Sequence, residues 1–428
     1  MSTLLSFSAS VSPGQFDHYA GLLARDMGAD LMLSTPGYPA ETTSMIGVRP
    51  VAELILDQAT SPADLKAFCF GSPGVTMGFV SYTYGMVLRG VACRKPQDFP
   101  LGHMKKYAAV AEYDRSAGMV TISGTEQALL DDLAGRLESA AHTDLAGTPT
   151  VPGLPGTAPV VSLDRQGYEA GVRETLERIL SGYTYQLNLS TKFSWQCPDL
   201  DPLALFLALR ESHPAPFYAW FRSGVHRVLS TSPERFLRVR DGHVLSQPIK
   251  GTLHFDQLTQ ELAGQLTSSP KESAELSMIV DLIRNDISTN CAYGSVRVEN
   301  HKSVFAVDNL LQMYSDVHGQ LRQGRDCLDL FLDAFPGGSI TGCPKFSSMQ
   351  IIEELEPHSR GVYCGSMVVI RDEDNMDSSI AIRTAVYNTE TGGLDSYAGS
   401  GIVVDSDPAK EYLETMAKAE KFLTLGDA

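Results

Sequence analysis

No run of apolar residues in this 428-residue sequence approaches the ~20 that a bilayer-spanning helix needs. The opening Met1-Ser-Thr-Leu-Leu is followed by no Lys or Arg before Arg25, so the charged start of a secretory signal is missing. The seven cysteines (Cys69, Cys93, Cys197, Cys291, Cys327, Cys343, Cys364) include no C-x-x-C pair. Their scatter fits free thiols in a reducing compartment better than a disulfide framework or a zinc site. Cations are scarce: 34 Lys and Arg against 51 Asp and Glu give a net charge of -17. That balance argues against a nucleic-acid partner. The expectation is a cytoplasmic protein that engages neither nucleic acid nor membrane. An acidic chain that binds an anion must gather its positive groups, or a metal ion, in one place.

What is present is the balance of a soluble enzyme, 43% hydrophobic and 20% charged residues, which rules out disorder along the whole length. The length allows two or three average domains or one large body. The clearest break is the Gly-, Pro- and Thr-rich stretch 141–160, which reads as a connection between residues 1–140 and 161–428. Before it, 75–84 and 107–113 alternate like strands, and 114–118 reads as a hairpin turn into 119–122. After it, Tyr168, Val172, Thr175, Leu176 and Ile179 have helical spacing, with Asp164 as N-cap and Gly182 past the end. Strands are predicted at 185–193, 227–230, 236–239, 243–246, 365–371, 379–387 and 394–398, and Ser269-Pro270 and Asp407-Pro408 open helices. Strands and helices mix without a βαβ rhythm, which predicts an antiparallel α+β architecture.

Four features carry chemistry. Glu272-x-x-Glu275 and Glu411-x-x-Glu414 each place two carboxylates on one helix face shortly after a Pro. Acids there are favoured by the helix dipole and need no function; converging, the two pairs would suit Mg²⁺. Glu234 in Ser232-Pro-Glu-Arg and Lys250 in Pro248-Ile-Lys-Gly-Thr252 read as a proton-transfer acid and a nucleophile, or as a surface acid and a strand-end lysine. The turns Gly337–Lys345, which contains Thr341 and Gly342, and Ala398–Gly401 expose backbone N–H groups that can cradle an anion, although glycines mark any tight turn. Arg383, alternating with Ile380 and Ile382, suits bidentate carboxylate recognition if it faces a cavity.

Together these segments resemble the chorismate-binding enzymes: the anthranilate and aminodeoxychorismate synthase components I, isochorismate synthase and salicylate synthase. The resemblance runs over about 165–425 through YQLNLS, SPERFL, PIKGT, KESAELSMIVDLIRND, GGSITGCPK, IIEELEP, YCGS, SIAIRT, AGSGIVVDS and EYLETMAKAEK. It extends more weakly to Gly78–Tyr82 and 107–113. It implies two antiparallel sheets packed as a sandwich with helices outside, the anthranilate synthase component I-like fold, with the site in a cleft between them. Isochorismate and salicylate synthases resembling this chain carry a water-activating Lys where Gln186 stands, so ammonia is the implied nucleophile. Anthranilate synthases carry Ala at the position of Lys250, so the resemblance narrows to the aminodeoxychorismate type.

The resemblance also implies roles. Lys250 would attack the ring covalently, Glu234 would protonate the leaving hydroxyl, and Glu275 and Glu414 would hold Mg²⁺ with Glu272 and Glu411 nearby through waters. Arg383, Tyr363 and the backbone of Gly399–Gly401 would fix the enolpyruvyl carboxylate of chorismate, and Lys418 would counter its remaining charge. The chain has no Gly-x-Cys-x-Gly elbow, so ammonia is expected from a glutamine amidotransferase partner. Departures from the family pattern are Gln312 where a His is usual, His254-Phe255 where Pro-Arg is usual, and the Cys of TGCPK where Ala is common. Anthranilate synthase component I and a non-catalytic chorismate-binding homologue are the rival readings; Lys250 opposes the first, and the intact set Glu234, Lys250, Glu275, Arg383 and Glu414 the second.

Overall fold

The computed structural model describes residues 4–40, 43–142, 158–255, 259–307 and 310–424. Its framework is antiparallel throughout: twenty strands form one connected hydrogen-bonded system. The system reads as two sheets that share the long strand Gly102–Asp114. That strand pairs along one edge with Ser44–Leu56, and along the other first with Thr76–Val80 and then with Met119–Gly124. The first sheet continues from Ser44–Leu56 through Asp30–Leu33, Phe217–Ser223, His226–Ser232, Thr384–Asn388 and Gly393–Ile402 to Gln186–Gln196. The second continues from Thr76–Val80 through Ser366–Asp372, Asn375–Ile380, Arg235–Arg240 and His243–Ser246 to Leu310–Gln320. Ile249–His254 and Arg297–Val307 flank the last of these. Strands from residues 1–140 thus pair directly with strands from 161–428, at Asp30–Leu33 and at Thr76–Val80.

Phe79, Phe221, Val228 and Met367 come from both sheets and meet in a buried cluster between them. The outer faces are covered by helices. Phe16, Leu133, Phe206 and Phe422 bring four helices onto the first sheet, and Val172, Leu276, Leu328 and Met349 bring four more into the largest core. The predicted α+β sandwich with helices outside is therefore the observed architecture.

Local signals acted as their chemistry dictates. Asp164 caps the helix Arg165–Leu180 by accepting from Gly167 N, and Gly182 follows with φ +79°. Ser269 and Asp407 cap Pro270–Ser288 and Pro408–Leu423, each with Pro in the first turn. Asp114 Oδ1 accepts from Ser116 N and Ala117 N to close the hairpin between Gly102–Asp114 and Met119–Gly124. Two strand predictions need correction. The stretch 75–84 is a strand only to Val80, because Ser81 accepts from Tyr84 N and starts the helix Tyr82–Leu88. The stretch 379–387 is two strands in two sheets, broken at 381–383, where Arg383 takes φ +52°. Within 141–160, residues 143–157 lie outside the described residues.

A buried polar network ties these layers together. Glu356 is 2% exposed and Arg360 3%. Arg360 Nε and Nη2 donate to the two oxygens of Glu356 at 2.9 and 2.7 Å. Glu356 Oε1 also accepts from Ser190 N and Ser190 Oγ at 2.8 and 2.7 Å. The remaining donors of Arg360 reach Ile340 O at 2.9 Å and Asn188 O at 2.6 Å, and its guanidinium lies 4.6 Å from the Tyr82 ring centroid. Desolvation opposes the carboxylate of Glu356, but the Arg360 charge and these bonds hold its pKa below the usual range.

Removing one partner of such a pair strands the other charge in the core. Arg360→Met should cost about 3–5 kcal/mol, read as a lower urea midpoint, and Glu356→Gln with Arg360→Met together should cost less. Because the folded pKa of Glu356 is depressed, its contribution is complete above an unfolded value of about 4.3 and is lost as pH falls through the folded value. A single variant as stable as the parent at pH 7 would remove this network from the account.

Candidate active site

The chain changes sheet twice at one place, and both changes carry a predicted site residue. After His226–Ser232 in the first sheet, Pro233-Glu234 leads into Arg235–Arg240 in the second. Residues 381–383 lead back from Asn375–Ile380 to Thr384–Asn388. The crossings are bonded to each other: Ile380 N donates to Glu234 O at 3.1 Å, and Thr231 N to Arg383 O at 3.1 Å. Arg235, fully buried, pins the first crossing with a bidentate contact to Asp377 (3.0 Å for both bonds) and a bond to Gln247.

Glu234 is buried at 6% exposure, and Ser339 Oγ donates to its Oε1 at 3.2 Å. Burial pushes its carboxyl up to about 7, against the opposing pull of Lys250, Ser339 and Lys418. A carboxyl poised near neutrality can hold and deliver a proton. Lys250 comes from the strand Ile249–His254. A β-carbon on Gly401 would lie 3.1 Å from Gln186 Nε2 and 3.5 Å from Lys250 Nζ, so the bare glycine leaves the space where those two side chains meet. Gln186 itself is 3% exposed.

The helix Pro408–Leu423 supplies the other wall. Lys418 Nζ donates to Glu414 Oε1 at 2.6 Å and to Gly399 O at 3.2 Å. Desolvation, followed by the charges of Lys250 and Arg383, holds Lys418 below the usual lysine range against the opposite pull of Glu414. Arg383 Nη1 donates to Lys418 O at 2.8 Å. Desolvation draws Arg383 down to about 10, against the raising influence of Tyr363 and Glu414. Tyr363, 3% exposed, stacks on Tyr397 at 5.1 Å. Glu234, Lys250, Gln186, Arg383, Tyr363, Gly399, Gly401, Glu414 and Lys418 are thereby brought together, and cations outnumber carboxylates there in an otherwise acidic protein.

Thr341 and Gly342 sit behind this wall. Thr341 is fully buried and donates to Gly337 O at 2.9 Å, and its carbonyl accepts from Asn188 N. Gly342 has φ +146°, and a β-carbon there would stand 2.1 Å from Gln186 O. Only glycine tolerates both demands, so this turn presses on the strand that presents Gln186. The polar positions Gln186, Asn188 and Ser190 of that strand are as buried as its apolar ones; its alternation does not mark a solvent face. Glu272 packs against Gly251, next to Lys250. Glu411 is 2% exposed and accepts from Ser406 Oγ at 2.7 Å. Glu275 is half-buried on the helix Pro270–Ser288. The four glutamates offer only hard oxygen donors, which fits Mg²⁺, yet no three His, Cys, Asp or Glu side chains cluster as a ready-made metal site among the described residues. Gln312 is buried on the strand beside Lys250, opposite Thr252.

Sequence reasoning missed Ser339, Arg360 and Lys421. Ser339 lay in a recognised turn, but nothing in one dimension points it at Glu234. The only local sign of the buried pair was the i,i+4 spacing of Glu356 and Arg360.

The chorismate binding enzyme family model matches residues 35–424. The chain belongs to that family. It is 37% identical over 360 residues to aminodeoxychorismate synthase component 1 of Klebsiella aerogenes, covering 82% of this chain and 76% of that protein. It is 39% identical over 262 residues to anthranilate synthase component 1 of Aquifex aeolicus, covering 60% of this chain but only 52% of that protein, so the chain spans about half the length of that relative. The crystal structure of anthranilate synthase component I from Streptococcus pneumoniae superposes with a TM-score of 0.76 at 25% identity, over 91% of this chain and 94% of that one. The predicted fold family is thus the observed one, and two kinds of chorismate-using synthase stand at similar distance. Among the described residues no helix is long and apolar enough to cross a membrane.

The bond from Ser339 stabilises the charged form of Glu234, so removing it raises that pKa further. If Glu234 acts as an acid, activity falls as pH rises through about 7, and Ser339→Ala should move this limb to higher pH. A pH–rate profile checks it, and a shift to lower pH would contradict the arrangement.

Proposed function

We propose that this chain is the chorismate-aminating component of an aminodeoxychorismate synthase, converting chorismate and ammonia to 4-amino-4-deoxychorismate. The observation that carries the reading is the meeting of Lys250 Nζ and the Gln186 carboxamide at Gly401. The identities to relatives do not separate this activity from anthranilate synthesis; the chemistry of these two side chains is what favours amination. A carboxamide is no base for activating water, and an amine beside it supplies a nucleophile of its own.

The Lys250 amine forms a bond to C2 of the ring as the C4–O bond breaks, with the ring double bonds migrating between them. Glu234 gives its proton to the departing hydroxyl, which leaves as water. Ammonia then bonds to C4 as the C2–Lys250 bond breaks and the double bonds return. One difficult displacement becomes two easier ones. Arg383, with Tyr363 and the Gly399–Gly401 backbone beside it, holds the enolpyruvyl carboxylate, and Lys418 offsets the remaining charge. Glu275 and Glu414, with Glu272 and Glu411 nearby, would hold Mg²⁺, whose charge when bound would offset that of the ring carboxylate. Ammonia comes from a glutamine amidotransferase partner, for which concentrated ammonium salt is a substitute in vitro.

Purified protein given chorismate, Mg²⁺ and ammonium should form 4-amino-4-deoxychorismate without releasing pyruvate; anthranilate with pyruvate would assign the chain to the rival synthase. Without ammonia, Lys250 should carry an adduct of chorismate less water, seen by peptide mass spectrometry and absent from Lys250→Ala. Excess chelator, or Glu414→Gln at millimolar Mg²⁺, should abolish turnover, whereas acids that merely cap helices would leave the rate per folded molecule intact.

A further inference from the structure

The helix that carries Glu414 and Lys418 presents another lysine one turn further on. Lys421 is partly buried, and among the described residues no carboxylate pairs with it. Its Nζ instead donates to Thr231 Oγ1 and, at 3.3 Å, to Thr231 O. Thr231 is the last-but-one residue of His226–Ser232, immediately before the first sheet crossing. Its hydroxyl donates to Arg383 O at 2.8 Å, and its backbone N–H donates to the same oxygen at 3.1 Å. The directions agree. A threonine hydroxyl has one proton, and with Lys421 donating to its lone pair that proton is committed to Arg383.

Arg383 needs such support. Its φ of +52° is the left-handed region, where the β-carbon of a non-glycine residue crowds the following carbonyl, and which persists only where the surroundings enforce it. The helix Pro408–Leu423 enforces it from both ends: the Lys418 carbonyl takes the guanidinium at 2.8 Å, and Lys421, through Thr231, orders the peptide oxygen. A left-handed residue between two strands aims its side chain differently from an extended one, so releasing the backbone re-aims the guanidinium.

We propose that Lys421 is a positioning residue for Arg383, acting through the Thr231 hydroxyl to hold the guanidinium where a substrate carboxylate is bound. This rests on the reading of Arg383 as a carboxylate-binding residue in a chorismate site. It differs from a purely electrostatic role, because the effect travels through one hydroxyl proton and requires that hydroxyl.

The test is equilibrium binding of chorismate by the full chain in the presence of Mg²⁺, beside steady-state kinetics with ammonium. Lys421→Met should raise Kd and KM for chorismate together by roughly tenfold, about 1.4 kcal/mol, with a much smaller change in kcat. Thr231→Val should do the same, and Thr231→Ser, which keeps the hydroxyl, should bind like the parent. Combined, Lys421→Met and Thr231→Val should weaken binding no more than either alone, because both break one relay. Additive losses, an unaltered Kd in Lys421→Met, or a defect in Thr231→Ser equal to that in Thr231→Val would each overturn the relay. Thermal unfolding of Thr231→Ser and Thr231→Val separates a folding defect from a binding one. The underlying reading fails differently: parent protein that binds no chorismate, or Arg383→Gln that binds it normally, removes the site itself.

Discussion

The buried pair of Glu356 and Arg360 is the constraint on which the rest of this molecule depends. An arginine and a carboxylate can leave water together only if nearly every donor and lone pair is met. Meeting them recruits Ser190 and Asn188 from the strand that presents Gln186, Ile340 from the turn that carries Ser339, and the Tyr82 ring from the N-terminal half. Four stretches far apart in the chain are thereby fixed by one desolvated contact. A hydrophobic contact tolerates small sliding shifts; a buried network of directional polar bonds does not. The turn is held from two sides, since Gly342 fits against Gln186 O with no room for a β-carbon.

On that frame the site is a consequence of topology. A chain crossing between sheets must leave the ladder, and the residues that do so have no strand neighbour to dictate their direction. Here Glu234 and Arg383 occupy the two crossings, bonded across to each other through Ile380 and Thr231. Low solvent access then acts in opposite directions on opposite charges. It raises the carboxyl of Glu234 toward neutrality and draws Lys418 and Arg383 down. The helix Pro408–Leu423 completes the wall, with Glu414 and Lys418 on its face and the Lys418 carbonyl engaging Arg383.

Much of this was legible in one dimension. Helix starts were readable because a capping side chain satisfies local backbone groups and needs no distant partner. Asp164, Ser269 and Asp407 all cap where the sequence places them. The residues of Ser232–Arg235, Pro248–Thr252 and Ser379–Thr384 were identifiable as chemistry-bearing because their spacing and resemblance mark the motif. The stretch 379–387 misled for a physical reason: its alternation is genuine on both sides of Arg383, but the two halves belong to different sheets. Nothing local distinguishes a strand from two strands separated by a left-handed residue that a neighbouring helix and strand must stabilise.

The sequence by itself determined the antiparallel α+β class, the helix starts at Asp164, Ser269 and Asp407, the cationic and carboxylate residues available for chemistry, and the choice of Gln186 and Lys250 over other side chains. These are properties of composition, period and residue identity, and each acts within a few residues of chain. Only the tertiary structure decided that Gln186 and Lys250 meet at Gly401 and that Ser339 bonds Glu234. It alone decided that Glu411 turns inward to Ser406, and that Lys421 reaches Arg383 through Thr231. Those relations join residues up to about two hundred positions apart, and burial rather than chain proximity makes them strong.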